Sequence, residues 1–166
     1  AGLDMDAQSV ELVRADGSRV AGRPANDGAS TARWQLDAPL ATDGSVDGSY
    51  AVSVRAVDRA GNVASVEYDI VYDTVAPALT GSAPSDGSSI SATLSTIRPA
   101  ASDDGSGIDP SATSLTLTGP DGAEVAGRLS YDGAGGFSFE IEGRLTDVGQ
   151  YTLAGAFVDR AGNARA

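Results

Sequence analysis

The segment GSYAVSVRAVDRAGN at residues 48–62 returns as GQYTLAGAFVDRAGN at residues 149–163, 101 positions later. Each begins on a glycine two places before a tyrosine, runs on in alternation, and ends in the hexapeptide Val-Asp-Arg-Ala-Gly-Asn. A period of two is the signature of a half-buried β-strand, because successive side chains leave the backbone on opposite faces. Tyr50, Val52, Val54 and Ala56 therefore share one face, and Gly61-Asn62 is turn chemistry. The acid-x-Gly-x-Tyr layout of Asp147, Gly149 and Tyr151 predicts a tyrosine corner, in which the phenol bonds upstream backbone and pins a crossover between sheets. The earlier occurrence keeps Gly48 and Tyr50, with its acid at Asp47.

Working outward, the repetition widens. Residues 2–23 match residues 107–128 at an offset of 105, Asp27-Gly28 matches Asp132-Gly133, and Trp34 matches Phe139. A period near 100 residues is too long for a solenoid unit and suits one small all-β domain. The chain of 166 residues thus divides into a module at 1–74 and another at 75–166. Expected strands in the first are Ser9–Arg14, Val20–Arg23, Ala32–Leu36, Tyr50–Val57 and Val63–Tyr72, with a hairpin turn at Asp16-Gly17. In the second they are Pro77–Ser82, Ile97–Ser102, Leu115–Thr118, Val125–Tyr131, Phe137–Ile141 and Tyr151–Val158, with a matching turn at Asp121-Gly122. The first copy has no counterpart of 76–105, and the second stops after Asn163 where the first continues through Val63–Asp73. The first module is therefore expected to lack its opening strands and the second its closing strand. No segment has a helical period, and 21 glycines argue against long helices.

Composition narrows the chemistry. There is no Cys and no His, which removes disulfides, thiolate nucleophiles, Cys-based zinc sites and the Ser-His-acid triad. All eleven basic residues are Arg, set against 23 acids, for a net charge of −12. Such a balance disfavours nucleic acid, whose phosphates require a basic footprint. No apolar run is long enough to span a bilayer. Ala and Val dominate the apolar residues, so thin cores are expected. Glu140 and Glu142 sit two apart on a strand, on the solvent face opposite Phe139 and Ile141, and read as a solvated edge. Catalysis by this chain is not expected.

The layout G-x-Y-x-V-x-V-x-A-V-D-R-A-G-N, then a strand, then Tyr72-Asp73-Thr74-Val75-Ala76-Pro77, resembles bacterial Ig-like domain repeats. That resemblance implies tandem immunoglobulin-like β-sandwiches in a secreted or cell-surface protein of adhesin or stalk type. Function would then be structural, as an extracellular stalk, fibre or surface layer, with neighbouring modules of the same or identical chains as partners. The truncated modules add assembly by strand complementation to that expectation. The alternative is a ligand- or glycan-binding accessory module on a surface adhesin or carbohydrate-active enzyme.

The Asp-rich loops are the one constellation with site character. Asp103, Asp104 and Asp109 lie between the second and third strands of the second module, and Asp159 and Asn163 between its last two. In an Ig-like sandwich those loops share one end, where the linker carrying Asp73 also arrives. Calcium favours six to eight oxygen ligands in loose geometry, which such loops supply. Asp73, Asp103, Asp104, Asp109, Asp159 and Asn163 are the candidate ligands, with Asp4, Asp58 and Asn62 at the matching places of the first module. The competing expectation is plain turn chemistry, in which Asx side chains cap local backbone.

Overall fold

The computed structural model describes residues 2–25 and 33–166. Among these the secondary structure is strand and turn without a helix, and no helix is long and apolar enough to cross a membrane. The chain splits into two compact units, Ala1–Thr74 and Val75–Ala166.

In the first unit, β1 (Ser9–Arg14), β4 (Gly48–Val57) and β5 (Val63–Tyr72) form an antiparallel sheet in the order β1-β4-β5. β2 (Gly22–Pro24) and β3 (Trp34–Leu36) make a second, two-stranded sheet. Leu12, Tyr50 and Val52 are the buried centre, and Val20 and Leu36 pack onto them from the other side. Apolar faces of two sheets thus meet in a sandwich-like arrangement. Ala32 and the Asp27-Gly28 match lie outside the described residues.

The second unit has eight strands. β6 (Ala78–Ala83), β7 (Thr96–Ser102), β10 (Gly127–Tyr131) and β11 (Phe137–Ile141) form a sheet in the order β10-β11-β7-β6. β8 (Ser114–Thr118), β9 (Glu124–Val125), β12 (Thr152–Val158) and β13 (Ala164–Arg165) form another, in the order β13-β12-β8-β9. One core group joins Ala101 of β7 and Phe137 of β11 to Phe157 of β12; another joins Phe139 and Ile141 of β11 to Leu117 of β8. The interior is led by Tyr50, Phe137, Phe139 and Phe157, not by the Ala and Val that dominate the composition. An aromatic ring fills more space per residue, so a few of them close a small core.

The span 125–131, expected as one strand, is two. Val125 pairs with Leu117 in one sheet, whereas Gly127 pairs with Ile141 in the other. The chain changes sheets at Ala126. In the first unit the Val20 amide bonds the Leu12 carbonyl at 2.8 Å, and Gly22 already pairs with Leu36. The transfer there falls at Ala21, so the strand expected over Val20–Arg23 begins at Gly22. Both receiving strands open on the same close approach. A Cβ on Gly22 would strike the Trp34 indole and stand 2.8 Å from the Gln35 carbonyl oxygen. On Gly127 it would strike the Phe139 ring and stand 2.8 Å from the Glu140 carbonyl oxygen. A bare backbone lets the ring on the adjacent strand lie flat across it, an aromatic–glycine cross-strand pair that pins register.

Candidate functional site

The two Val-Asp-Arg-Ala-Gly-Asn segments fold alike. In the first unit the Asp58 amide bonds the Asn62 carbonyl, and one Asp58 carboxylate oxygen accepts the amides of Ala60 and Asn62, each at 2.8 Å. Its other oxygen accepts the Asn62 side-chain amide at 2.7 Å. In the second unit the Asp159 carboxylate accepts the Asn163 amide and the Asn163 side-chain amide, both at 2.8 Å. Acid and amide four residues apart therefore clamp each other at both ends of the turn, which explains why Asp and Asn recur there together. The Asn62 side chain, then its backbone amide, hold the Asp58 carboxyl below the ordinary value of 3.8.

Each clamped turn is tied to the loop that precedes the third strand position. The Arg160 amide bonds the Gly107 carbonyl at 2.9 Å, Ile108 bridges Asp159, and the Ala161 amide bonds the Ser106 hydroxyl at 3.1 Å. The Arg59 amide bonds the Gly2 carbonyl at 3.0 Å and Leu3 bridges Asp58 in the same way. Asp103 accepts the amides of Gly105 and Gly107, the latter at 2.6 Å. Within the second unit this brings carboxylate oxygens of Asp103 and Asp159 within 4.8 Å of each other, with Asp159 only 1% exposed.

Asp109, Asp104 and Asp4 are occupied by their own turns or face solvent. Asp109 turns to its own downstream backbone, accepting the Ser111 amide and hydroxyl at 2.8 and 2.6 Å. The Ser111 hydroxyl is the main cause that keeps the Asp109 carboxyl low, and its amide the next. Asp104 is exposed in its loop. Asp4 accepts the Asp6 amide at 3.2 Å. Asp73 is buried in the first unit, at the residue after β5. Turn donors thus serve Asp103, Asp109 and Asp159, and these N–H and O–H groups offset the carboxylate charge locally.

Both tyrosine corners form. The Tyr50 hydroxyl donates to the Val46 carbonyl at 2.5 Å, and the Tyr151 hydroxyl to the Asp147 carbonyl at 3.0 Å. Gly48 and Gly149 hold φ of 139° and 156°, a region an L side chain avoids, which is why the glycine two places before the tyrosine repeats. Asp47 does not take the place of Asp147. Its carboxylate accepts the Thr74 amide at 2.7 Å and the Thr74 hydroxyl at 3.0 Å, fastening the end of the first unit to the turn before β4.

One surface lies where the first module was expected to lack its opening strands. The register Tyr50↔Ile70, Val52↔Tyr68 and Val54↔Val66 puts Val66, Tyr68 and Ile70 of β5 on the core face of their sheet. They are nonetheless 54%, 51% and 41% exposed, while Tyr50 beside them is 1% exposed. Alternation alone marks them as interior. Among the described residues the first unit has no counterpart to β6 and β7.

The chain matches no protein-family model, no curated protein and no solved structure.

Proposed function

We propose that the chain is a non-catalytic structural protein of tandem Ig-like modules, exported to form an extracellular stalk, fibre or surface layer. The observation that carries this reading is the duplicated framework. Each unit repeats the tyrosine corner, the Asp–Asn clamped turn and the aromatic–glycine pair, and each devotes these residues to holding its own strands together. Strand order β10-β11-β7-β6 facing β13-β12-β8-β9 supports an Ig-like topology, two antiparallel sheets with crossovers between them. Neither His nor Cys is present to supply a nucleophile–base pair. A glycan platform would call for several presented aromatic rings, but Trp34 and Phe139 lie against Gly22 and Gly127, and Tyr68 is the one largely exposed ring among the described residues.

Single-molecule stretching of the chain by its ends tests the reading. Two separate force peaks are expected, with contour gains of up to roughly 260 and 320 Å at about 3.5 Å per residue. Extension without peaks, together with retention on a polysaccharide resin, would replace it with the accessory binding module. The reading requires no cation, because turn donors already hold Asp103, Asp109 and Asp159. Thermal unfolding in millimolar calcium and in EDTA is therefore expected to coincide. A rise in melting temperature that EDTA reverses would add calcium to these loops.

A further inference from the structure

We infer that the open flank of the first unit is the seat of a two-stranded β unit of the β6–β7 type, belonging to a further module of the same kind. The inference rests on the tandem-module reading and names the partner that such a module takes.

The second unit supplies the template. There β7 pairs along the edge of β11 through Phe139↔Ile97 and Glu140↔Thr96, and β6 pairs with β7 outside it. Ala101 of β7 then joins the core group of Ile108, Phe137 and Phe157. In the first unit β3 stands where β11 stands, since Trp34 covers Gly22 as Phe139 covers Gly127. β3 has only β2 as a partner, and its other edge carries no strand among the described residues. Transferred by that correspondence, an incoming strand would set its Ile97 position opposite Trp34 and its Thr96 position opposite Gln35. The counterpart of β5 in the second unit is the short β13, so the cover of Val66, Tyr68 and Ile70 follows from their own register on the core face, over which the inward side chains of the incoming strands would close. A free edge next to an uncovered apolar face is what strand addition requires: backbone pairing supplies affinity and alternate side chains supply fit.

Charge selects this occupant over a second copy of β5. The strands ALTGSA of β6 and TIRPAAS of β7 contain no acid and one base, Arg98. β5, in contrast, carries Glu67 and Asp69, and the chain as a whole has a net charge of −12. Two β5 strands laid edge to edge would align like charges across the new ladder, which opposes pairing. A β6–β7 unit brings none.

The test uses the full 166-residue chain and a synthetic peptide of its own residues 76–105. Hydrogen exchange should slow on the order of tenfold at the β3 amides as they gain partners. Trp34 emission should shift to the blue, and the unfolding transition it reports should move up with peptide concentration. Ile70→Asp and Val66→Asp, both at exposed positions, should leave the chain folded and abolish all three changes. Unchanged exchange at residues 34–36 with saturating peptide overturns the inference. So does protection of β3 and β5 that grows with chain concentration in the absence of peptide, which would assign the flank to a second copy. If the peptide fails while two force peaks persist, the seat is lost and the module reading stands.

Discussion

β3 and β11 occupy corresponding places in the two units, yet Phe139 and Ile141 of β11 are buried while Trp34 and Leu36 of β3 are half-buried. The local chemistry is close to identical, an aromatic across a glycine followed by an apolar residue two places on. What differs is the neighbour. β7 lies along β11 on the edge away from β10, and Ala101 of β7 joins the core, whereas no described strand lies along the edge of β3 away from β2. The same contrast reaches the far side of the sandwich, where β5 turns three large side chains toward a core that is not closed over them. Burial is thus a property of the assembly of strands, and a strand's own pattern only makes it available.

The contrast can be broken from either side, and Trp34 helps, because as the only tryptophan its emission reports the first unit alone. The largest effect is expected from Phe137→Ala. This 2% exposed ring touches Tyr131 and Phe157, and its loss should cost about 3–5 kcal/mol. The far-UV transition of the second unit should fall while the Trp34 transition stays in place. A joint shift would mean that the units do not unfold separately.

Gly127→Ala and Gly22→Ala come next, at about 1–3 kcal/mol each from forced overpacking. Gly127→Ala should be the costlier, since Phe139 is held on all sides by the covered core and Trp34 has room to yield. Equal costs by chemical denaturation would show that the open flank gives Trp34 no freedom.

Tyr50→Phe and Tyr151→Phe follow. Removing the buried Tyr50 hydroxyl leaves the Val46 carbonyl unpaired and should cost about 1 kcal/mol. Tyr151 is half-exposed, so water replaces its bond to Asp147 and the loss should be smaller. A reversed order would contradict the burial difference between the corners.

The smallest effect is acid sensitivity. The carboxyls of Asp16, Asp43 and Asp58 in the first unit are held low chiefly by the side chains of Ser18, Ser45 and Asn62; in the second unit Asp109 is held low chiefly by Ser111. A depressed folded-state value stabilises the fold above the unfolded value of 3.8, and that contribution disappears as pH falls through the lower folded value. The Trp34 transition should therefore lose more below pH 3.8 than the far-UV transition of the second unit. All four carboxyls face solvent, so the difference is expected to be modest. Parallel loss in both units would remove the asymmetry.

Much of this was legible in the residues. The strands Ser9–Arg14, Val63–Tyr72 and Phe137–Ile141 form over the spans their alternation marks, because alternation is local and a pleated backbone obeys it. The tyrosine corners were legible for the same reason, since donor and acceptor lie four residues apart. The acidic loops were legible as turns and as neighbours, and Asp103 does approach Asp159. Asp109 follows the turn-chemistry expectation and not the ligand one, a choice between Ser111 and the adjacent loop that depends on where the backbone points after Ile108. The role of Gly22 and Gly127 escaped. A glycine between Val-Ala and Arg looks like a weak strand residue until the ring across from it is in place.

From the chain of residues alone came the duplication, the all-β character and the positions of the turns, since each rests on contacts within a few residues. Only the tertiary structure decided where the chain changes sheets, which carboxylates meet and which side chains line the open face that the missing opening strands implied. Those outcomes depend on pairings between residues tens of positions apart, and a single strand beside or missing from an edge reverses them without altering any local pattern.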